Sequence, residues 1–211
     1  MTRFYIVRHG ETVANKSNQI AGHYESPLTE LGKKQAMLTG EALKDVAFDA
    51  AYCSPLSRAR ETAGIILNGR MTATVCPDVI EMYLGKWEGM DLDELDRKYP
   101  QDRATWHHDF GNSRPTGGES AVEAYNRMAR AYTKLAKENE GKTVLVVSHG
   151  GVIQCLRCWA KGIPANEMSK DGMPGNAAIT VVDVENGVPT LVQEPDNSHL
   201  GEAATVLPKN I

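Results

Sequence analysis

Short apolar runs separated by longer stretches of mixed periodicity set the pattern of this chain. Phe4-Tyr5-Ile6-Val7 is continuous and apolar, as a strand buried on both faces requires. Thr143-Val144-Leu145-Val146-Val147 repeats that pattern with more β-branched residues and is the strongest strand. Ala50-Ala51-Tyr52-Cys53 is a weaker one. Ala178 to Val184 and Thr190-Leu191-Val192 flank Glu185-Asn186-Gly187, which predicts a late hairpin. Between the strands the spacing turns helical. Thr29 is placed to cap a helix reaching about Lys44, and Ser54 stands as a cap before a proline suited to the first helical position. Ser120-Ala121-Val122-Glu123 has the form of a capping box. It opens a helix with Val122, Tyr125, Met128, Tyr132 and Leu135 at spacings of three and four. A further helix follows Gly150-Gly151. Strands alternating with helices predict an α/β architecture with a largely parallel sheet. Residues 90–118 carry Gly, Pro, Asp and Trp and read as an excursion across one end of that sheet, within a single domain spanning residues 1–211.

Composition narrows the class. The chain has 211 residues, 41% hydrophobic and 24% charged, ordinary for a globular protein and wrong for a disordered tail or a coiled-coil rod. A net charge of -4 argues against a nucleic-acid partner. The apolar run before Arg8-His9 is too short for a signal peptide, and no stretch approaches the roughly 18 apolar residues of a membrane span. The expectation is a cytoplasmic protein without a membrane partner, and nothing in the sequence forces an oligomer. Cys53, Cys76, Cys155 and Cys158 fit reduced thiols in that compartment. Cys155-x-x-Cys158 lies in an apolar helical stretch without a second Cys or His pair, so it reads as two buried structural thiols. His107-His108 cannot easily aim both rings at one ion, and no metal site is expected. No cofactor is expected either.

The chemistry gathers where strands end. The first ends in Arg8-His9-Gly10-Glu11-Thr12, the second in Ser54-Pro55-Leu56-Ser57-Arg58, and the late strong one in Ser148-His149-Gly150-Gly151. Ligands of parallel α/β sheets bind at the carboxyl ends of strands, beside the amino ends of the following helices. Arg8, His9, Arg58 and His149 therefore fall on one rim. Two guanidiniums and two imidazoles facing one small volume repel unless an anion sits between them, and the arginine fork matches phosphate oxygens. The expected ligand is a phosphoryl group.

These residues resemble the signature of the histidine phosphatase superfamily, the phosphoglycerate mutase-like group. The similarity runs through Asn15, Gly22, Ser26-Pro27-Leu28-Thr29-x-x-Gly32 and Ser54-Pro55-Leu56-x-Arg58-Ala59-x-x-Thr62-Ala63. It resumes at Glu81-x-x-x-Gly85-x-Trp87-Glu88-Gly89, at Gly117-Gly118-Glu119-Ser120 and at Val147-Ser148-His149-Gly150-Gly151. The resemblance implies a three-layer α/β/α sandwich and phosphate transfer through a phosphohistidine on His9. Arg8, Asn15, Arg58 and His149 would then bind the phosphate and Glu81 would donate and accept the proton, with Glu88 a rival seven residues on. Gly22 and His23 would stand at the substrate mouth, where the family often has an aromatic residue or arginine in place of His23. The implied activity is metal-independent hydrolysis of a small phosphorylated metabolite. A cofactor-dependent phosphoglycerate mutase and an inactive module binding a phospho-ligand or protein are the alternatives. Residues 90–117 hold four cations against six anions, which speaks against a strongly anionic diphosphate substrate. Arg114 there reads as a solvated loop charge. Trp87, Trp106 and Trp159 read as packing residues, with Trp106 also placed to wall the pocket.

Overall fold

The computed structural model describes residues 1–205, so the last six positions of the expected 1–211 domain lie outside the described residues. In chain order the strands and helices are β1 (Thr2–Arg8), α1 (Val13–Lys16), α2 (Glu30–Ala42), β2 (Ala50–Cys53), α3 (Ser57–Leu67), β3 (Thr74–Val75), α4 (Leu92–Lys98), α5 (Pro100–His108), α6 (Ala121–Glu138), β4 (Thr143–Ser148), α7 (Gly150–Ala160), β5 (Ile179–Glu185) and β6 (Val188–Asp196). One six-stranded sheet has the order β3-β2-β4-β1-β5-β6. The first four strands in that order run parallel, while β5 pairs antiparallel with β1 and β6 antiparallel with β5. The late hairpin is thus the antiparallel flank of a largely parallel sheet.

Alternation along the central strands explains the layers. Phe4 and Ile6 of β1, with Val144 and Val146 of β4, pack with Met128, Tyr132 and Leu135 of α6 and Ile153 and Leu156 of α7. Val7, Leu145 and Val147 enter the opposite cluster with Ala59, Ala63 and Ile66 of α3. Strands with apolar residues on both faces need helices on both sides, and the result is the three-layer sandwich. A smaller cluster of Ile20, Trp87 and Leu95 sits under the excursion, flanked by Leu92, Tyr99 and Trp106. That segment folds into α4 and α5, which its polar composition concealed.

Local signals account for most boundaries. Thr29 Oγ1 accepts the Gly32 N–H, and α2 ends two residues before Lys44. The capping box at α6 is present: Ser120 Oγ accepts the Glu123 N–H and the Glu123 carboxylate accepts the Ser120 N–H. The buried stripe of α6 runs through Ala121, Ala124, Met128, Ala131, Tyr132 and Leu135, so Val122 is on the outward side and exposed. One expectation is corrected. Ser54 does not cap α3, whose cap is Leu56 without a side-chain bond. The Ser54 hydroxyl lies instead 2.6 Å from His149 Nε2, a contact 95 positions away in the chain. Cys155 and Cys158 are buried on α7 and unpaired, with their thiols pushed up in pKa by burial, Cys158 to about 12. Among the described residues no helix is long and apolar enough to cross a membrane.

Candidate active site

Parallel strands β1, β2 and β4 end on one edge, and that common direction delivers the four rim residues. Arg8 closes β1, His9 follows it, His149 follows β4, and Arg58 stands in the first turn of α3 after β2. Because β5 runs antiparallel to β1, its beginning and the loop before it reach the same edge. There the Ala177 N–H bonds both the Arg8 and His9 carbonyls, from a backbone with φ of 56°. A left-handed alanine is strained, and at a site this strain is held by the surrounding bonds.

Each group is oriented by the main chain. Arg8 Nη1 donates to the Pro174 carbonyl at 2.6 Å. Arg58 donates from Nη2 to Gly22 O at 2.6 Å and from Nη1 to Tyr24 O at 2.9 Å. His9 Nδ1 is 2.8 Å from the Gly10 carbonyl, which fixes a proton on Nδ1 and leaves the lone pair on Nε2. The imidazoles of His9 and His149 have centroids 5.2 Å apart. Ser54 Oγ accepts the Leu56 N–H and lies 2.6 Å from His149 Nε2, a contact in which either group can donate. Among the described residues, Arg8 Nε, Arg58 Nε and His149 Nδ1 are buried atoms with no hydrogen-bond partner in the protein. Buried donors are ordinarily paired. The two unpaired guanidinium donors belong to arginines that line one cavity, an arrangement that suits an anionic acceptor.

Burial and neighbouring cations act together on the titrating groups. Burial first, then Arg58 and Arg8, hold His9 well below the usual histidine range. The same causes, with His9 added, lower His149. Burial lowers Arg8 to about 10 and lowers Arg58 as well, with Glu81 opposing both. At neutral pH the site therefore holds two charged guanidiniums and two neutral imidazoles.

Arg8, His9, Asn15, Arg58 and Glu81 line one cavity of about 110 Å³. The Asn15 side-chain oxygen accepts from the Thr12 N–H and from Asn176 Nδ2, leaving its amide NH2 as the donor at the cavity. Glu81 carboxylate oxygens accept the N–H groups of Gly151 and Val152 in the first turn of α7. A side chain at Gly150 would meet the Arg8 guanidinium and one at Gly151 the Glu81 carboxylate, which is why a glycine pair opens α7. Glu88 is not a second acid at the cavity. Its Oε1 accepts the His23 and Leu84 N–H groups and braces the loop carrying Gly22. Gly22, at φ 49°, contributes through its carbonyl to Arg58, and a Cβ there would collide with the Glu88 carboxylate. The His23 imidazole reaches the Glu81 carbonyl, with Nε2 2.8 Å from that oxygen, and its ring contacts Tyr83.

The far wall of the cavity is apolar, built by Ile20, Leu84, Leu92, Trp87 and Trp106, with Arg103 beside them. Trp106 thus walls the pocket as expected, and Trp87 does so too while its Nε1 bonds Asp102. Arg114 is exposed and pairs with Glu123. His107 and His108 are exposed at the end of α5. Sequence reasoning missed Ser54 as a partner of His149, and it missed Pro174, Asn176 and Met173 entirely. No local pattern marks that last loop, because its function is carried by carbonyls and by one amide.

A parallel sheet whose carboxyl edge gathers paired arginines and histidines around unsatisfied donors defines an α/β protein of phosphoryl chemistry. The chain belongs to the histidine phosphatase superfamily (branch 1), which it matches over residues 4–197. It is 37% identical over 164 residues to the adenosylcobalamin/alpha-ribazole phosphatase of Salmonella typhimurium, covering 77% of this chain and 81% of that one. To phosphoserine phosphatase 1 of Hydrogenobacter thermophilus it is 31% identical over 203 residues, 96% of each chain. The solved structure of Bacillus stearothermophilus YhfR superposes with a TM-score of 0.90 at 32% identity, over 95% of this chain and 100% of that one. The protein is a phosphatase of this superfamily.

Proposed function

We propose that the protein hydrolyses phosphomonoesters in two steps, with His9 as nucleophile, Glu81 as proton donor and acceptor, and Arg8, Asn15, Arg58 and His149 holding the phosphoryl oxygens. The observation that carries this reading is a neutral His9, tied at Nδ1 to Gly10, between two arginines whose Nε donors lack partners. The His9 Nε2 lone pair attacks phosphorus, the P–O bond to the leaving group breaks, and the leaving oxygen takes its proton from Glu81. Water then gives a proton to the ionised Glu81 and attacks the phosphohistidine, whose N–P bond breaks to release inorganic phosphate and neutral His9. The loose transition state spreads charge over equatorial oxygens, which suits fixed guanidinium and amide donors. No step calls for a metal ion.

The substrate is a small phosphorylated metabolite, as the names of both relatives suggest, and the apolar far wall favours a leaving group with an apolar portion. Mutase activity is disfavoured by the acidic balance of residues 90–117, and a binding-only module by the chemically competent residue at every site position. Four unpaired cysteines are in keeping with a cytoplasmic setting. The test is phosphate release from p-nitrophenyl phosphate with EDTA present, together with rapid acid-free quenching and mass spectrometry. Release that persists in EDTA, a phosphoryl adduct on His9 and loss of both in His9→Ala are expected. An adduct on another residue, or undiminished turnover by His9→Ala, overturns the assignment. Rapid exchange of 2- and 3-phosphoglycerate with little release would establish the mutase instead.

A further inference from the structure

Glu81 belongs to a connecting segment without regular structure, yet an acid that must meet a leaving oxygen has to be held within a fraction of an ångström. Its main chain is gripped from behind by a side chain of α6. Arg127 directs its guanidinium at three carbonyls of this segment and at one carboxylate. Nη1 donates to Asp78 O at 2.9 Å and Ile80 O at 2.8 Å, and Nη2 to Glu81 O at 3.3 Å. The Glu119 carboxylate closes the fork, at 2.9 Å from Nε and 2.7 Å from Nη2. All five N–H donors of the guanidinium are used. Glu119 is itself fixed, because its N–H donates to Tyr83 O two residues beyond the acid. His23 completes the grip through Nε2 on the Glu81 carbonyl. Neither Arg127 nor Glu119 lines the cavity, and the pair is mostly buried at 18% and 17% side-chain exposure.

We propose that the Arg127–Glu119 pair is a positioning device for the proton donor, setting the height and direction of Glu81 through the carbonyls of residues 78, 80 and 81. This rests on the reading of Glu81 as the acid. Lysine cannot reproduce the device, since an ammonium has three donors and no planar fork.

Leaving-group dependence separates positioning of an acid from general damage to the site. A dinitrophenolate leaves without a proton, while an alkoxide does not, and kcat/KM reports the steps through phosphoryl transfer to His9. The experiment measures kcat/KM for 2,4-dinitrophenyl phosphate and for an alkyl phosphate in wild type, Arg127→Lys, Glu119→Gln and Glu81→Gln. General acid catalysis is worth about 10²–10⁴-fold, so Glu81→Gln is expected to lose about that factor on the alkyl ester relative to the aryl ester. Arg127→Lys and Glu119→Gln are expected to show the same selective loss, about 10-fold or more. Glu119→Gln keeps the shape of the side chain and decides the matter if Arg127→Lys does not fold. Equal losses on both esters in the two variants, beside a selective loss in Glu81→Gln, overturn the positioning role and leave the acid assignment standing. A non-selective loss in Glu81→Gln itself removes the acid assignment and the device with it.

Discussion

Arg8 and Arg58 are held by main-chain carbonyls rather than by carboxylates, so their charge is oriented but not neutralised. On the proposed reading this leaves both guanidiniums available to an incoming dianion, and after burial their charge is what keeps the neighbouring histidines neutral. The consequence for stability has a definite sign. His9 and His149 have folded-state pKa values well below 6.5, while the unfolded chain protonates them near 6.5. Above that pH both states are neutral there and the groups contribute nothing. Below it the unfolded state binds protons that the folded state refuses, so stability falls as pH drops from 6.5 toward the folded values. His199, also lowered by burial, acts in the same direction. Unfolding free energies from urea titrations between pH 7 and 5.5 are expected to decline at roughly 1 kcal/mol per pH unit for each such histidine. His149→Asn should flatten the decline, and a midpoint independent of pH in this window would contradict the neutral assignment. Ser54 offers a second residue-scale check. Ser54→Ala leaves the buried His149 Nε2 without its partner, an omission worth about 1–3 kcal/mol. A fall in kcat of about 10-fold is expected, with weaker inhibition by orthovanadate, since the ring loses the partner that orients it.

Elements were legible in the sequence where a local signal and the tertiary fold agree. The runs at residues 4–7 and 143–147 could only be central strands, and the Ser120 box could only start a helix. Ser54-Pro55 misled because a serine before proline satisfies the local rule for a helix start, while the stronger demand came from a histidine just beyond the end of β4. The small β3 and the helices of the excursion stayed hidden because two residues or a polar surface carry no periodicity. The loop between α7 and β5 was equally silent, yet it orients Arg8 through Pro174 and His9 through Asn176. What holds this loop is α7. Arg157 donates to the Gly172 carbonyl at 2.6 Å and pairs with Asp171 at 3.0 Å and Glu194 at 2.6 Å, and Gln154 bonds the Asp171 carbonyl. Arg157 and Asp171 are both buried. Arg157→Met removes one of the two cations on the buried Asp171 carboxylate and leaves Lys161 Nζ at 2.9 Å, so the cost falls below the roughly 3–5 kcal/mol of a fully stranded buried charge. Denaturant unfolding should register a loss of about 1–3 kcal/mol, and KM should rise as the Pro174 carbonyl loses its register with Arg8. A variant with lost stability but unchanged KM would separate this loop from the phosphate site.

At the scale of the whole molecule, the proposed reading puts chemistry and selection at different ends of the cavity. The phosphate end of the cavity is built from strand ends and helix starts of the sandwich, where position is fixed by the sheet register of Arg8 opposite Ser148 and by the cores on both faces. The far end is built by Ile20, Leu84, Leu92 and Trp106, which belong to the excursion and the segments beneath it. That division explains what could be read beforehand. Residues of the phosphate end follow strands and announce themselves by motif, whereas the selecting wall is a set of ordinary apolar side chains whose meaning appears only when α4 and α5 fold over the edge. It also makes the two ends separable by experiment. Trp106 packs edge-on against Trp87 and Phe110, so Trp106→Ala removes wall area without touching a group that contacts phosphate. For a phosphomonoester with an aromatic leaving group, kcat/KM is expected to fall about 10–100-fold, in line with the 1–3 kcal/mol lost when a hydrophobic pocket contact is removed. For glycerol phosphate the fall should be several-fold smaller, and the inhibition constant for orthovanadate, which occupies only the phosphate end, should stay within about twofold. Arg58→Ala should do the reverse, weakening orthovanadate and every substrate together. Parallel losses on aromatic ester, glycerol ester and orthovanadate in Trp106→Ala would mean that the two ends are energetically one site, and that the excursion helps hold the phosphate pocket in shape.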